Sequence, residues 1–279
     1  MADYFRRFAG SERTQEMENA ARTALKNIWI FAVLLIAWEL VCRFEIWSSY
    51  VLPPPEKVLR SLTAMITSGE LFRHTAISLR RVFLGFSISC ILTFFLTLLA
   101  VRLPRVVPYY SKLLGAVRHI PPISLIPLLI LWFGIGELPK IIVIVLASVF
   151  PVLLSTESGI FGCDPGLIEV GRMMEFSKRE IFFRIMLPNA VPEIFVGIRI
   201  GLGYAWRAIV GAEMIAAASG LGYLILDAQA LSRTDKVIAG ILVIGFLGLL
   251  TDGLCALISR RISEKFFHKE GKAEWQNEF

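Results

Sequence analysis

Hydrophobic residues along this chain are gathered into long runs that polar segments separate. The clearest run, residues 82–101, contains no charged side chain. Roughly 20 consecutive apolar residues cross a bilayer as a helix, so this run predicts a membrane span. Five further runs are shorter or interrupted by a charge or a proline, yet each is too apolar for a surface helix. Six spans are therefore predicted, at residues 28–40, 82–101, 120–136, 141–156, 191–218 and 237–258.

The positions of Lys and Arg indicate how these spans are oriented in the membrane. Cytosolic segments of membrane proteins carry an excess of Lys and Arg. With the N-terminus in the cytosol, more of these residues fall in cytosolic segments than in outer ones. We therefore predict an all-α integral membrane protein with both termini in the cytosol. Its predicted parts are a cytosolic segment 1–26, a transmembrane domain 27–260 that includes a cytosolic loop 164–188, and a cytosolic tail 261–279.

Composition agrees with a membrane protein and argues against several other classes. Hydrophobic residues make up 56% of the 279 residues, above the roughly 45–50% of soluble domains. The net charge of +6 comes from the cytosolic cations, so it does not indicate nucleic acid binding. The chain has no GxxxxGK[ST] phosphate loop, so any ATP hydrolysis must occur in another chain. The four cysteines and three histidines form no paired motif and predict neither a disulfide nor a metal site.

The cytosolic loop between the fourth and fifth spans carries the most specific pattern. Asp164 and Pro165 suit the cap and first position of a helix, which we expect to end near Met174. Ser177 and Glu180 form an S-x-x-E capping box for a second helix. Pro188 should end that helix, because the residue before a proline avoids helical geometry. The loop is thus predicted to be two short helices joined by a tight turn.

Apolar side chains are frequent in this loop, although it lies outside the predicted spans. A solvated loop does not need them, so they indicate docking onto a partner protein. Packing against the chain's own helix ends is the alternative. The residues concerned are Ile168, Met173, Met174, Phe176, Ile181 and Phe182.

At these positions the chain resembles the transmembrane permeases of binding-protein-dependent ATP-binding-cassette (ABC) importers. Their cytosolic coupling motif reads Glu-Ala-Ala, three residues, Gly, nine residues, Ile-x-Leu-Pro. Glu169, Ile185, Leu187 and Pro188 match it in identity and spacing, and Val170 and Gly171 replace the two alanines. Glu175 occupies the glycine position, where glycine would supply a left-handed turn. Glu175 therefore either adopts that turn at a cost of about 1 kcal/mol or gives the turn another geometry.

Four other segments are similar to the nitrate, sulfonate and taurine branch of these permeases. They follow one another in the expected order, so the resemblance covers most of the chain. The segments are Leu52-Pro53-Pro54-Pro55, residues 118–137, Gly197-Ile-Arg199-Ile-Gly201-Leu-Gly203, and residues 212–222 with Glu213, Gly220 and Gly222.

The resemblance implies the type I importer permease architecture and a set of partners. Two permease subunits, here most simply a homodimer, form a path across the bacterial inner membrane. Two ATPase subunits bind ATP and Mg²⁺ below, and an extracytoplasmic solute-binding protein delivers a small anion such as a sulfonate, taurine or nitrate. This chain itself then needs no cofactor and is not an enzyme. The residues implied in ATPase coupling are Glu169, Gly171, Glu175, Phe176, Leu187 and Pro188.

Two ionisable residues of the fifth span are candidates for the substrate path. Ionisable groups at membrane depth usually line a cavity or form pairs. Arg207 and Glu213 are six residues apart, about 240° around a helix, so they should not pair with each other. A guanidinium is suited to sulfonate, nitrate or carboxylate. A structural ion pair with a carboxylate of another helix or subunit is the alternative for Arg207, and a structural role is open for Glu213.

Two other functions remain open at this stage. Related permeases serve different substrates, so a non-anionic solute such as a thiamine-precursor pyrimidine is one alternative. A self-contained secondary transporter or channel is the other, and it would need neither ATPase nor binding protein.

Overall fold

The computed structural model describes residues 29–30, 32–103, 105 and 107–274, with side chains as far as residue 262 except at 108 and 111. The predicted segment 1–26 and residues 275–279 of the predicted tail lie outside this part of the chain. Within it the regular structure is all helical. In chain order the helices are α1 (residues 32–43), α2 (Pro55–Thr67), α3 (Glu70–Arg102), α4 (Val107–Val117), α5 (Ile126–Phe133), α6 (Glu137–Phe161), α7 (Pro165–Met173), α8 (Lys178–Ile181), α9 (Leu187–Ala216), α10 (Leu221–Ala230) and α11 (Thr234–Glu274).

Four helical segments of the described chain are long and apolar enough to cross a membrane. They are Glu70–Arg102, Glu137–Phe161, Lys178–Ala216 and Thr234–Ile262. About 20 helical residues match the roughly 30 Å hydrocarbon layer, and each of these segments exceeds that length. They coincide with the second, fourth, fifth and sixth predicted spans, which are thereby confirmed as helices of spanning length.

The segment of the third predicted span, 120–136, is a shorter apolar helix. A 3₁₀ turn, Pro122–Leu125, leads into α5, which ends at Gly134 with φ of 74°. Eight residues of α-helix rise only about 12 Å, so α5 alone is shorter than a bilayer. In the first predicted span, 28–40, residues 29–30 and 32–43 are helical. Both segments are thus apolar helices of less than spanning length in the part described.

Helix α6 lies at the centre of the bundle and packs against α3 on one side and α9 on the other. Two glycines of α9 allow its backbone to approach α6 closely. A Cβ at Gly197 would lie 2.6 Å from Ser155 Cβ, and one at Gly201 would lie 2.5 Å from Val152 Cγ2. Such small-xxx-small spacing is a common means of close helix packing in membranes. The glycines of this segment therefore fix where α9 crosses α6.

Helix α2 covers one end of the bundle, on the side predicted to face outward. It buries Val58, Ser61 and Met65. The Ser61 hydroxyl donates to the Asp235 carboxylate at the start of α11, and Lys236 pairs with Glu70 at 2.9 Å. These polar contacts hold α2 and the start of α3 against α11.

Candidate functional site

The cytosolic loop begins with a capped helix, as predicted. The backbone N–H of Gly166 donates to the Asp164 carboxylate at 2.8 Å, and Pro165 is the first residue of α7. The helix ends at Met173, one residue before the expected end. The first predicted helix of the loop is therefore confirmed.

The turn after α7 is the left-handed one that the motif requires. Glu175 has φ of 59°, the conformation that glycine adopts without strain. The Phe176 N–H donates to the Gly171 carbonyl and the Glu175 N–H to the Arg172 carbonyl, each at 3.0 Å. This pair of bonds is the Schellman motif, which satisfies carbonyls at a helix end. Of the two alternatives left by the sequence, Glu175 thus takes the strained turn.

The second helix starts at the predicted capping box. The Glu180 N–H donates to Ser177 Oγ at 3.3 Å, and the Ser177 N–H donates to Glu180 Oε2 at 3.0 Å. The prediction that Pro188 ends this helix is wrong. The chain passes from α8 through a π-helical turn, Phe182–Met186, directly into α9. A π turn shifts the hydrogen-bond register, and Pro188 stands at the first turn of α9, where its missing N–H is tolerated.

The loop has a small apolar interior of its own. Gly171 is buried, and a Cβ there would lie 2.5 Å from Ile185 Cδ1. Ile181 is buried beside it, and the Arg184 guanidinium lies 5.2 Å from the centre of the Phe176 ring. Gly171 and Phe176 therefore lie on the inner side, where α7 packs against the π turn.

The outer side of the loop presents a different set of residues. Glu169 and Val170 are exposed on α7, and Met173 is 84% exposed at its end. Met174 is also exposed, whereas Leu187 and Pro188 are half-buried at the start of α9. Each interpretation of the apolar residues thus holds for some of them. Ile181 packs within the loop, whereas Val170, Met173 and Met174 form a surface around Glu169 that no described residue covers.

Glu213 lies near the opposite end of α9 and is completely buried. Its carboxylate accepts hydrogen bonds from Arg81 Nη1 and from Ser78 Oγ, both at 2.8 Å. The Gly222 N–H donates to its second oxygen at 2.9 Å. The carboxylate is therefore fully engaged by α3 and by the start of α10, as the structural alternative for this residue requires.

Arg81 connects this carboxylate to a second one on α6. It is 3% exposed, and its Nε and Nη2 donate to the two oxygens of Glu137 at 2.7 and 2.6 Å. Lys140, also buried, donates to Glu137 at 3.1 Å. We call Arg81, Glu137, Lys140 and Glu213 the outer ion cluster. Two cations and two carboxylates balance there, which limits the cost of burying each charge.

The loop before α10 is shaped around Glu213. Gly220 has φ of 114°, a conformation that favours glycine, and a Cβ there would clash with the Glu213 carboxylate. The Gly220 N–H donates to His74 Nδ1 at 3.0 Å, and the Leu221 N–H donates to Ser78 Oγ at 2.9 Å. The Glu213-to-Gly222 pattern of the sequence is thus a structural unit that holds α9, α10 and α3 together.

Arg207 lies two turns earlier on α9 and does not contact Glu213. Its guanidinium stacks on the Tyr204 ring at 4.6 Å from the centroid, and its Nε donates to the Gly203 carbonyl at 3.1 Å. Among the described residues it forms no ion pair. The carboxylate of Asp252, which lines the same surface cavity, is taken by Arg199 at 2.7 Å.

Tyr204 itself lines a second cavity, with a volume of about 290 Å³. Arg118, His119 and Pro122 form one wall, and Phe150 belongs to α6 opposite. Neither Arg118 nor His119 makes an ion pair within the described part of the chain. Arg118, His119, Tyr204 and Arg207 together form what we call the basic strip. Sequence alone marks Arg118 only as the first residue of the family-like segment 118–137, because no local pattern shows that α9 places Tyr204 beside it.

Comparison with known proteins gives these sites a family context. The family described as "Binding-protein-dependent transport system inner membrane component" matches residues 103–264, which include the cytosolic loop, Arg118, Arg207 and Glu213. This chain belongs to that family.

The permease also has named relatives over most of its length. The putative aliphatic sulfonates transport permease protein SsuC of Bacillus subtilis is 38% identical over 238 residues, covering 85% of this chain and 86% of that protein. The taurine transport system permease protein TauC of Escherichia coli is 34% identical, with 86% and 90% covered. The nitrate import permease protein NrtB of a Synechocystis strain is 31% identical, with 81% and 85% covered. The predicted resemblance to the nitrate, sulfonate and taurine branch is thereby confirmed.

The fold of this chain is similar to that of a solved structure. A chain of an amino acid ABC transporter matches the permease with a TM-score of 0.62 at 18% identity, covering 72% of this chain and 98% of that one. The permease thus has the predicted type I importer architecture and is a multi-pass membrane transport subunit. Arg81 of the outer ion cluster and Ser78, which donates to Glu213, lie before the matched family region.

Proposed function

We propose that this permease forms the path of an ATP-driven importer for a small anion of the sulfonate, taurine or nitrate kind. Two copies form the path in a bacterial inner membrane, two ATPase subunits bind ATP and Mg²⁺ at the cytosolic loops, and a solute-binding protein delivers the anion from outside. The permease chain itself holds no cofactor.

The observation that carries the anion assignment is the basic strip. Arg118 and Arg207 line cavities without a carboxylate partner in the described part of the chain. Arg207 lies within the fifth predicted span, where an unpaired guanidinium is costly unless it meets water or an anion. Its planar donors match the oxygens of a sulfonate, carboxylate or nitrate. The names of the relatives point to the same substrates.

The cytosolic loop supports the ATPase partner. Its Schellman turn, capping box and internal packing give it a fixed shape, while Val170, Met173 and Met174 remain exposed around Glu169. A rigid element with an exposed apolar patch is typical of a protein interface. Glu169 is expected to meet a basic group of the ATPase, and Glu175 lies at the adjacent turn.

An exposed side of α9 supports the homodimer. Val196, Ile200 and Tyr204 lie on one side of this helix, and each is nearly half exposed. The basic strip borders the same side, so pairing of two copies across it would enclose the strip between them. Both copies would then contribute Arg207 to one path.

The first experiment is mild-detergent purification of the tagged permease from its host, followed by mass spectrometry and by uptake assays in proteoliposomes. We expect an ABC ATPase to co-purify and uptake of taurine or a sulfonate to require ATP and the binding protein. Uptake by the permease alone without ATP would identify a secondary transporter or channel. Uptake restricted to an uncharged or cationic solute would overturn the anion assignment.

A reversal of charge at Glu169 tests the coupling surface. Glu169→Arg should abolish uptake and reduce ATPase co-purification, because the charge at the centre of the proposed interface is inverted. Glu56→Arg, an exposed site on α2 at the other end of the bundle, serves as the control and should retain uptake. Unchanged uptake in Glu169→Arg would exclude that residue from the coupling contact.

A further inference from the structure

A cavity of about 320 Å³ opens between α3, α6 and the start of α9, in the half of the bundle predicted to face the cytosol. Its walls are largely apolar and include Phe94, Val152 and Ile194. Phe182 of the π turn and Leu187 at the start of α9 also line it, so the cavity lies directly behind the joint between the cytosolic loop and α9. The proposed path and coupling surface make no use of it.

Two hydroxyl groups in this cavity lack a hydrogen-bond partner among the described residues. Thr93 is 3% and Thr97 5% exposed, and their Oγ1 atoms are unpaired among the described residues. The two residues are one helical turn apart on α3, so their side chains lie on the same side of the helix. A buried hydroxyl without a partner costs roughly 1–3 kcal/mol. Both therefore remain available to a ligand that brings a hydrogen-bond acceptor.

The position of the mouth indicates where such a ligand would come from. Phe94 and Phe183 at its edge are 64% and 54% exposed, on segments that lie at bilayer depth or at its cytosolic border. Exposed apolar side chains of spanning helices face lipid or another subunit. The cavity is at the small end of ligand pockets, which measure about 300–1,000 Å³. An ion would lack a counter-charge here, since two hydroxyls alone do not offset the desolvation of a charged group.

We propose that this cavity binds one uncharged single-chain amphiphile from the cytosolic leaflet, such as a fatty alcohol. Its oxygen accepts hydrogen bonds from Thr93 and Thr97, and its alkyl chain packs on the apolar walls. The occupant lies between α3 and the start of α9 and opposes their approach. Its effect on transport, but not its binding, rests on the proposed function.

Photolabelling of the purified permease in nanodiscs tests the site. The probe is a ten-carbon alcohol that carries a diazirine, and adducts are located by mass spectrometry. We expect adducts to concentrate in residues 90–98 and 182–187. Thr93→Val/Thr97→Val keeps the shape of the cavity but removes both donors, so labelling should fall by about fivefold or more. Thr156→Val is the matched control, because Thr156 lines the same cavity but already donates to the Val152 carbonyl at 2.7 Å.

Several results would overturn the proposal. Adducts spread evenly over the lipid-facing helices, or equal labelling of wild type and Thr93→Val/Thr97→Val, would exclude the site. Equal or stronger labelling by the ten-carbon diazirine acid at neutral pH would exclude the uncharged class. An unchanged or lower melting temperature of the ligand-free double variant would show that the hydroxyls are satisfied within the protein, since removing unpaired hydroxyls should raise it.

Uptake assays separate this proposal from the proposed function. Decanol should slow ATP-driven anion uptake by wild type and leave Thr93→Val/Thr97→Val unaffected at the same concentration. Specific labelling with equal inhibition of both proteins would overturn the effect on transport. Absence of any ATP-driven uptake by wild type would overturn the proposed function, while the labelling still decides the binding site.

Discussion

Glu175 in the cytosolic loop has a backbone conformation that disfavours a side chain. Its φ of 59° lies in the left-handed region, where a Cβ atom raises the conformational energy. The turn is retained because two backbone hydrogen bonds and the contact of Phe176 with Gly171 are made only in that geometry. The rest of the loop therefore determines the conformation of this residue.

Replacing Glu175 with glycine should relieve this strain. Glu175→Gly is expected to raise the free energy of unfolding by about 1 kcal/mol, because a left-handed conformation costs a non-glycine residue about that much. Thermal denaturation of the purified permease measures the change. Arg172→Gly, in the last turn of α7, is the control and should lower stability by at most about 1 kcal/mol. Equal losses of stability in both variants would show that the backbone at Glu175 is not strained.

Neutralising Glu213 should destabilise the fold. Glu213→Gln leaves Arg81 buried with Glu137 as its remaining carboxylate, and loss of one partner of a buried ion pair costs about 3–5 kcal/mol. Glu56→Gln breaks the exposed pair with Arg60 and should cost at most about 1 kcal/mol. The melting temperatures of the two variants measure these two losses of stability. Similar small losses in both would show that the outer ion cluster does not hold the fold.

Several structural details of single residues could be predicted from the sequence, but only where neighbouring residues determine them. The Asp164 cap and the Ser177–Glu180 capping box depend on a few consecutive residues, and both were predicted correctly. The partner of Glu213 was not predicted. Arg81 is distant in sequence and carries the same kind of charge as many surface cations, so only the packing of α3 on α9 reveals the pair.

At the scale of elements, the second helix of the cytosolic loop and the fifth span form one continuous helical segment, Lys178–Ala216. The π turn Phe182–Met186 joins them, whereas the sequence predicted a break at Pro188. A proline ends a helix only if the missing hydrogen bond cannot be accommodated, and here the register shift and the first-turn position accommodate it. Such compensation depends on several residues together, which explains why a rule about one proline was insufficient.

Displacing α7 from the π turn should uncouple ATP hydrolysis from transport. Gly171→Val would place a branched side chain against Ile185, where even a Cβ would lie 2.5 Å away. We expect the ATPase to hydrolyse ATP in the assembled complex with uptake reduced about tenfold or more, because a valine side chain overpacks the space that Ile185 and Ile181 fill, at a cost of about 1–3 kcal/mol, and shifts α7 against the π turn. The ratio of anion uptake to ATP hydrolysis in proteoliposomes is the measurement. Gly115→Val on α4, where a Cβ meets no atom of the described residues within 4 Å, is the control.

At the scale of the whole molecule, the spans and their order were predictable because hydrophobicity accumulates over many residues. Four spans coincide with helices of spanning length. The arrangement of those helices was not predictable from the pattern, and the basic strip depends on it. Arg118 and Tyr204 belong to segments that are far apart in sequence and meet at one cavity only through the packed bundle.

Removing positive charge from the basic strip should weaken anion transport specifically. Arg207→Gln and Arg118→Gln are each expected to raise the KM of uptake about tenfold, since a charge-assisted hydrogen bond contributes about 1.5–3 kcal/mol. ATPase co-purification should be unchanged. Arg60→Gln, an exposed cation on α2, is the control. An unaltered KM in both variants would place the anion elsewhere.

Gly197 and Gly201 hold α9 against α6 near the middle of the helical segment that runs from Lys178 to Ala216. At 1.5 Å per residue, the arm toward Lys178 is about 30 Å long and the arm toward Ala216 about 25 Å. A rod that tilts about its crossing point moves its two ends in opposite directions. An inward swing of about 3 Å at the cytosolic end therefore carries the Glu213 end outward by about 2.5 Å. A tilt of this helix about its crossing with α6 would therefore close the cytosolic side of the bundle while opening the outer side, and it would have to stretch the contacts of Arg81 with Glu213 and Glu137.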